Sequence, residues 1–273
     1  AYGAALKAIE SAKIKKEDVD MIILATVTPD YFAQGAACIV QHKLGLKKIP
    51  CFDLNAACTG FIYGLEVAYS LVKSGLYKNV LVIGAETLSR IVDMRNRNTC
   101  VLFGDGAAAA IVGQVEEGYG FLGLSIGAEG EDDMILKIPA GGSKKPNTEE
   151  TIKNRENFVV MKGQEVFKFA VSTLPKVTLD ALEKAKIEVK DLSWVFPHQA
   201  NSRIIEAAAK RMKFPIERFY MNLSRYGNTS SASVGIALGE AIEKGLVKKG
   251  DNIALTGFGG GLTYGSTIIK WAY

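Results

Sequence analysis

Histidine is nearly absent from this 273-residue chain, with two copies, and its four cysteines form no C-x-x-C pair. Cys38, Cys51, Cys58 and Cys100 lack metal-ligand spacing, and His42 and His198 are too few to complete a set, so no metal site is expected. A chain this long builds its core without disulfide staples, which makes reduced thiols and a cytoplasmic location the expectation. No apolar run approaches the roughly 20 residues that span a bilayer. Even Val80 to Ala85 is bounded by Asn79 and Glu86. No secretory signal is visible, so a soluble protein without a membrane partner is predicted. A large excess of one charge is missing too. Lys and Arg exceed Asp and Glu by 33 − 29 = 4, with no aromatic-interleaved basic stripe; that argues against nucleic acid and leaves an acidic partner open. An initiator Met is also lacking. The chain opens on Ala1-Tyr2-Gly3-Ala4 and runs straight into a helical pattern at Leu6, Ile9 and Ile14, so residues upstream of Ala1 are expected.

What is present is 48% hydrophobic residues and 23% charged ones, enough apolar surface for one large domain or two fused halves. Short apolar runs alternate with helical patterns. Strands are predicted at Asp20 to Thr26, Cys51 to Leu54 and Val80 to Ala85, and helices at Gly35 to Leu44 and Gly60 to Ser74. Continuous Val/Ile/Leu runs of this kind mark buried strands of an α/β fold. The pattern then repeats. Asp191 to Phe196 echoes Asp18 to Ile23 at 191 − 18 = 173, and Asp251 to Leu255 echoes Lys78 to Val82 at 251 − 78 = 173. Gly227 to Ser233 echoes the segment around Cys58 at 228 − 58 = 170, and Phe258-Gly259-Gly260-Gly261 answers Phe103-Gly104-Asp105-Gly106. An internal duplication follows, with halves at 1–118 and 119–273 and two helix N-termini, at Cys58 and Asn228, facing each other. Ligands gather at such crevices. Between the halves, the polar stretch Gly127 to Arg155 reads as a surface excursion. Pro175, inside the amphipathic pattern Gln164 to Ala185, predicts a bend or break near Leu174.

Three polar residues carry the chemistry. Cys58 lies in Asp53-Leu54-Asn55-Ala56-Ala57-Cys58-Thr59-Gly60, where a strand gives way to a helix. Unpaired N–H groups and the helix dipole there favour a thiolate; alternatively, Cys58 is a small buried hydrophobe. His198 follows a strand in Phe196-Pro197-His198-Gln199-Ala200-Asn201, and Asn228 sits in the turn Tyr226-Gly227-Asn228-Thr229-Ser230. A core histidine and a turn asparagine are the plainer accounts. Together, a thiol nucleophile and two donors for a developing enolate suggest acyl chemistry. His42, in Gln41-His42-Lys43, reads as a solvated helix position. Three consecutive glycines, Gly259 to Gly261, pack nothing and cost backbone entropy. They suit a close approach of backbone to ligand, with a glycine N–H beside the Cys58 N–H forming an oxyanion hole.

Ala56-Ala57-Cys58-Thr59-Gly60-Phe61, Phe103-Gly104-Asp105-Gly106-Ala107, Pro197-His198-Gln199-Ala200-Asn201, Tyr226-Gly227-Asn228-Thr229-Ser230-Ser231-Ala232-Ser233 and Phe258-Gly259-Gly260-Gly261, in that order, resemble β-ketoacyl-acyl carrier protein synthase III. This family starts type II fatty acid synthesis. The resemblance implies the thiolase fold, five layers αβαβα built from two similar halves, and a homodimer. It implies that Cys58 takes an acyl group from acyl-CoA, and that His198 and Asn228 hold the thioester oxygen of malonyl-acyl carrier protein during decarboxylation. Cys58 and Gly260 would supply the oxyanion N–H groups, and Phe258 would shield the departing carboxylate. Met161, Gly163, Phe167, Lys168, Ala200, Asn201 and Arg203 match the family's tunnel for CoA. Lys168, Arg203, Lys210 and Arg211 are candidates for docking the acidic carrier protein, against the alternative that Lys210 and Arg211 are ordinary solvated cations. No cofactor is implied beyond the substrates acyl-CoA and malonyl-acyl carrier protein. Two departures stand out. The family's upstream strand and helix, with a Trp and an Arg that grip CoA, have no match, and Ala33 occupies a place often aromatic, with Phe32 as its substitute.

Other families share parts of this pattern. The spacing 198 − 58 = 140 also fits papain-like proteases, but their glutamine and C-G-S-C-W context is absent. Thiolases need a second cysteine in the terminal glycine loop, and none follows Cys100. Elongating condensing enzymes use two histidines. Chalcone-synthase-like polyketide synthases, with Cys, His and Asn, are the nearest rival, and a non-catalytic carrier-binding homologue is a further one.

Overall fold

The structure, a computed structural model, describes residues 1–130 and 134–273. In the first sheet, β1 (Met21–Ala25) lies parallel between β2 (Cys51–Leu54) and β3 (Asn79–Thr87), and β4 (Asp105–Gly113) runs antiparallel to β3. The second sheet has the order β5 (Gly120–Ala128), β10 (Thr263–Lys270), β9 (Asn252–Gly259) and β8 (Trp194–Pro197), with β8 and β9 parallel. The strands β1, β3 and β4 thus correspond to β8, β9 and β10. A single bridge from Val195 to Phe219 stands where β2 stands in the first sheet. Among the described residues β4 has no neighbour equivalent to β5.

Side chains that alternate across each strand decide the layering. Ile23, Val80 and Val82 point inward with Ile253, Leu255 and Phe196 of the second sheet. Between them lie α3 (Gly60–Lys73) and α8 (Ser233–Glu243), packed through Phe61, Ile62, Leu65, Val234, Ala237 and Leu238. The opposite faces are covered separately. Ile22, Leu24, Leu81 and Ile83 meet α1 (Tyr2–Ser11) and α2 (Ala36–Leu44). Val195, Ala254 and Ile268 meet α5 (Gly163–Ala185) and α6 (Ser202–Met212). The result is αβαβα, as the resemblance implied. The Asp53 carboxylate of β2 caps α2, accepting from the N–H groups of Ala36 at 2.7 Å and Ala37 at 2.8 Å, which suits a helix N-terminus.

Two expectations change here. Pro175 does not break its helix, and α5 runs unbroken from Gly163 to Ala185. Proline lacks the N–H that would reach Val171, four residues back. The Arg211 guanidinium of α6 takes that place, donating to the Val171 carbonyl at 2.7 Å. The excursion between the halves is also not purely superficial. It carries β6 (Leu136–Lys137) and α4 (Glu149–Lys153), and β6 pairs with β7 (Val160–Met161) just beyond it. Ile135 and Ala140 of this segment are buried. Residues 131–133 of that stretch lie outside the described residues. His42 is exposed on α2, as expected. The short helix α7 (Leu223–Tyr226) leads into the Asn228 turn.

Candidate active site

The duplication holds to one register. A 3-10 turn at Ala57–Thr59 precedes α3, and another at Ser230–Ala232 precedes α8, offset by 230 − 57 = 173. Ala57 and Ser230 both adopt left-handed backbone, with φ 46° and 47°. The counterpart of Cys58 is therefore Ser231, and the 170-residue pairing of Cys58 with Asn228 is corrected. Asn228 corresponds instead to Asn55, and the two behave alike. Asn55 Oδ1 accepts from the Ala57 N–H at 3.2 Å, and Asn228 Oδ1 from the Ser230 N–H at 2.8 Å. Fixing its oxygen in this way leaves the Asn228 NH₂ group to face a ligand. The Asn228 backbone is held by Leu102 and Gly104. Only glycine fits at 104, because a Cβ there would sit 2.0 Å from the Tyr226 carbonyl oxygen.

Cys58, His198 and Asn228, with Phe258, line one cavity of about 160 Å³, enclosed by apolar side chains. Exposures of 6%, 2% and 8% show that all three polar residues are buried. Burial pushes the Cys58 thiol up to about 11, against hydrogen bonds from Ser230 and from the backbone N–H groups of Cys58 and Gly260. The expected resting thiolate is thus corrected to a thiol, since α3 starts two residues later and desolvation outweighs what its N-terminus offers. The two backbone N–H groups converge on the sulfur, where the oxyanion pair was expected. Burial also drives His198 down to about 3, so its ring is neutral. Ser233 Oγ lies 2.7 Å from His198 Nδ1 and accepts the Gln199 N–H at 3.5 Å. Donation from Ser233 to Nδ1 would place the imidazole proton on Nε2, the tautomer able to donate to a substrate oxygen. Phe258 stands edge-on to the imidazole, with ring centroids 5.5 Å apart.

Of the remaining candidates, Met161, Gly163, Phe167, Ala200 and Asn201 line the same cavity. Asn201 also caps α6, its Oδ1 accepting from the Arg203 N–H at 2.9 Å. Lys168 and Arg203 are exposed and do not line it. Lys210 is exposed on α6, and Arg211 is engaged with Val171. Several contributors went unassigned in the sequence. Ser233 was inside a quoted motif without a role, whereas Leu136, Phe169 and Ile204 gave no signal beyond being apolar. A larger open groove of about 830 Å³, lined by Leu182, Met212 and Phe214, holds none of the candidate residues.

Two duplicated α/β halves meeting over a buried thiol, imidazole and carboxamide define a condensing enzyme of the thiolase fold, an acyltransferase that works on thioesters. The family comparisons narrow the class. The description "3-Oxoacyl-[acyl-carrier-protein (ACP)] synthase III" matches residues 52–130, and that of its C-terminal part matches residues 182–271. A protein of Fusobacterium nucleatum named Beta-ketoacyl-[acyl-carrier-protein] synthase III is 90% identical over 270 residues, covering 99% of this chain and 82% of its own. The solved structure of 3-oxoacyl-[acyl-carrier-protein] synthase III from Aquifex aeolicus VF5 superposes with TM-score 0.90 at 44% identity, covering 99% of this chain and 83% of that one. The Thermus thermophilus enzyme gives 0.91 at 42%, with the same coverage. The chain belongs to the β-ketoacyl-[acyl-carrier-protein] synthase III family. That membership favours the condensing reading over the polyketide, protease and non-catalytic ones. No helix among the described residues is long and apolar enough to cross a membrane.

Proposed function

We propose that the protein condenses a short acyl-CoA, acetyl-CoA in the first instance, with malonyl-acyl carrier protein to give 3-oxoacyl-acyl carrier protein, carbon dioxide and CoA, so initiating type II fatty acid synthesis. The observation that carries this is the convergence of Cys58, His198 and Asn228 on one apolar cavity beside the Gly260 N–H. Cys58 attacks the acyl-CoA carbonyl. Its proton leaves with CoA, and the N–H groups of Cys58 and Gly260 hold the tetrahedral oxyanion, where one aimed donor is worth roughly 3 to 4 kcal/mol. Malonyl-acyl carrier protein then enters. His198 Nε2–H and the Asn228 NH₂ group donate to its thioester oxygen as carbon dioxide departs. The enolate attacks the acyl-Cys58 carbonyl, expels the thiolate, and the thiolate takes up a proton. Loss of carbon dioxide removes the need for a strong base, which suits an imidazole that burial keeps neutral. Phe258 excludes water from the departing carboxylate.

Met161, Gly163, Phe167, Ala200 and Asn201 form the inner pantetheine tunnel, with Lys168 and Arg203 at its rim. Exposed Lys168, Arg203 and Lys210 lie on the adjacent helices α5 and α6, which supports carrier docking there. Tyr31 and Phe32, 63% and 93% exposed, support a homodimer in which this loop meets a second copy. The break between β4 and β5 supports dividing the chain at 1–118 and 119–273. The enzyme works in the cytoplasm without a resident cofactor. Incubation with labelled acetyl-CoA tests the core of this reading. Mass spectrometry should find label on Cys58 that malonyl-carrier addition discharges, and none on Cys58→Ser; label on no cysteine of an active preparation sinks the proposal.

A further inference from the structure

The doubled turn creates a second, closed copy of the nucleophile site. Ser231 stands where Cys58 stands in the first half, since 231 − 58 = 173, and Glu86 stands where Gly259 stands in the second, since 259 − 86 = 173. At the open copy Gly259 lets β9 approach Cys58. At the closed copy the Glu86 side chain fills the space against Ser231, and both residues are buried.

The hydrogen atoms around Glu86 locate a proton. Its Oε2 receives the Val27 N–H at 3.0 Å, shared with Oε1 at 3.3 Å, and the hydroxyls of Thr28 at 2.8 Å and Thr26 at 3.2 Å. Those hydroxyls are free to donate, because Thr28 Oγ1 accepts from the Thr87 N–H and Thr26 Oγ1 from the Thr28 N–H. Oε1 lies 2.7 Å from Ser231 Oγ, which is also 2.9 Å from the Ala25 carbonyl oxygen. A carbonyl oxygen only accepts, and Ser231 has a single proton. One proton cannot serve both contacts, and a proton on Glu86 satisfies both at once, since Ser231 then donates to Ala25 and accepts from the acid. Among the described residues no ion pair involves Glu86, so none of their cations offsets a buried charge there.

We propose that Glu86 is held as a neutral carboxylic acid donating to Ser231 Oγ, and that it is a positioning residue that ties the ends of β1 and β3 to the Asn228 turn without placing an anion beside Cys58. Burial pushes this carboxyl up, in the same sense. The titratable neighbour that responds to it is Cys58, whose thiol a charge on Glu86 would raise further; β1 and the Ser231 turn offer it hydroxyls and backbone. Only the kinetic part rests on the condensing-enzyme reading.

Three measurements test this. Infrared difference spectra of protein carrying ¹³C-glutamate, in a Glu66→Gln background that removes another carboxyl raised by burial, should show an isotope-shifted acid C=O band at neutral pH that Glu86→Gln abolishes. The wild-type isotope shift stands even if the Gln variant fails to fold. The pH midpoint of Cys58 alkylation should stay put in Glu86→Gln, whose amide donates to Ser231 as the acid does. An ionised Glu86 requires that midpoint to fall. Malonyl-carrier decarboxylation should drop by about tenfold or more in Glu86→Ala, the scale of a misplaced donor, and recover in Glu86→Gln. Absence of the acid band, or a lowered alkylation midpoint, overturns the proposal. A protein that fails to condense substrates but keeps both spectroscopic results overturns only the reaction assigned to the site.

Discussion

Adding one methyl group at Gly259 should disable the nucleophile without removing any polar group. A Cβ at this position would lie 2.7 Å from the Cys58 nitrogen and 2.9 Å from its Cβ. Ordinary contact begins near 3.4 Å, so the backbone of Cys58 must retreat by about 3.4 − 2.7 = 0.7 Å. It has little room, since Cys58 is buried and the neighbouring Thr59 hydroxyl is tied to the Ala56 carbonyl at 2.7 Å and to Thr263 at 2.8 Å. Overpacking of this kind costs about 1 to 3 kcal/mol of stability. A displacement approaching 1 Å at a reacting atom costs roughly a hundredfold in rate. Gly259→Ala should therefore remain folded and bind acyl-CoA, yet acylate itself about a hundredfold more slowly in single-turnover intact-mass measurements. Gly239→Ala, which meets nothing within 4 Å on α8, serves as the folded control. Acylation of Gly259→Ala at the wild-type rate would show that β9 does not press on Cys58 and that the close-approach argument is wrong.

His198→Ala should keep self-acylation and lose decarboxylation, read as label on Cys58 without release of carbon dioxide from malonyl carrier; equal loss of both steps contradicts the division of roles. Burial holds the His198 pKa at about 3, below its unfolded value. The folded state then binds fewer protons, so this contribution to stability is complete above pH about 6.5 and is lost as pH falls toward about 3, at up to about 1.4 kcal/mol per pH unit. His198→Asn should flatten that decline in urea titrations at pH 7, 5 and 4, and parallel declines would refute it. Arg211→Met should cost about 0.5 to 1 kcal/mol by leaving the Val171 carbonyl to water, and less in a Pro175→Ala background, where an amide N–H returns; an additive double-mutant cycle would deny the link. Carrier binding should weaken with added salt and fall in Lys168→Glu and Arg203→Glu, measured by titration calorimetry, whereas salt-independent binding excludes these cations as the dock.

The strands were legible because buried β-structure writes itself as uninterrupted apolar runs. β2 was read at its observed bounds, Cys51–Leu54, and β1 and β3 to within two residues. Cys58, His198 and Asn228 were legible as polar residues set in small-residue turns. Other features depend on groups distant in sequence. Nothing near Pro175 reveals that Arg211, 211 − 175 = 36 residues later, receives the carbonyl that proline abandons. The charge state of Cys58 was misjudged for the same reason. A helix N-terminus is visible locally, whereas full burial is a property of the assembled layers. The repeat register slipped by three residues because Gly-Asn and Ala-Cys look alike as breaks, and only the paired left-handed residues Ala57 and Ser230 fix the alignment. Leu136 was placed in a polar excursion, and it reached the cavity through the pairing of β6 with β7.

The two copies of the turn press against each other. A methyl at Gly60 would meet Ala25 at 2.8 Å and the Ser231 Cβ at 3.4 Å, and one at Gly84 would strike the Ser231 carbonyl oxygen at 2.6 Å. The copy of the turn that holds no nucleophile is therefore the anvil on which the working copy is shaped. Selection for a new acyl group would leave its mark on residues such as Ser231 and Gly84, and a search confined to the cavity wall would overlook them.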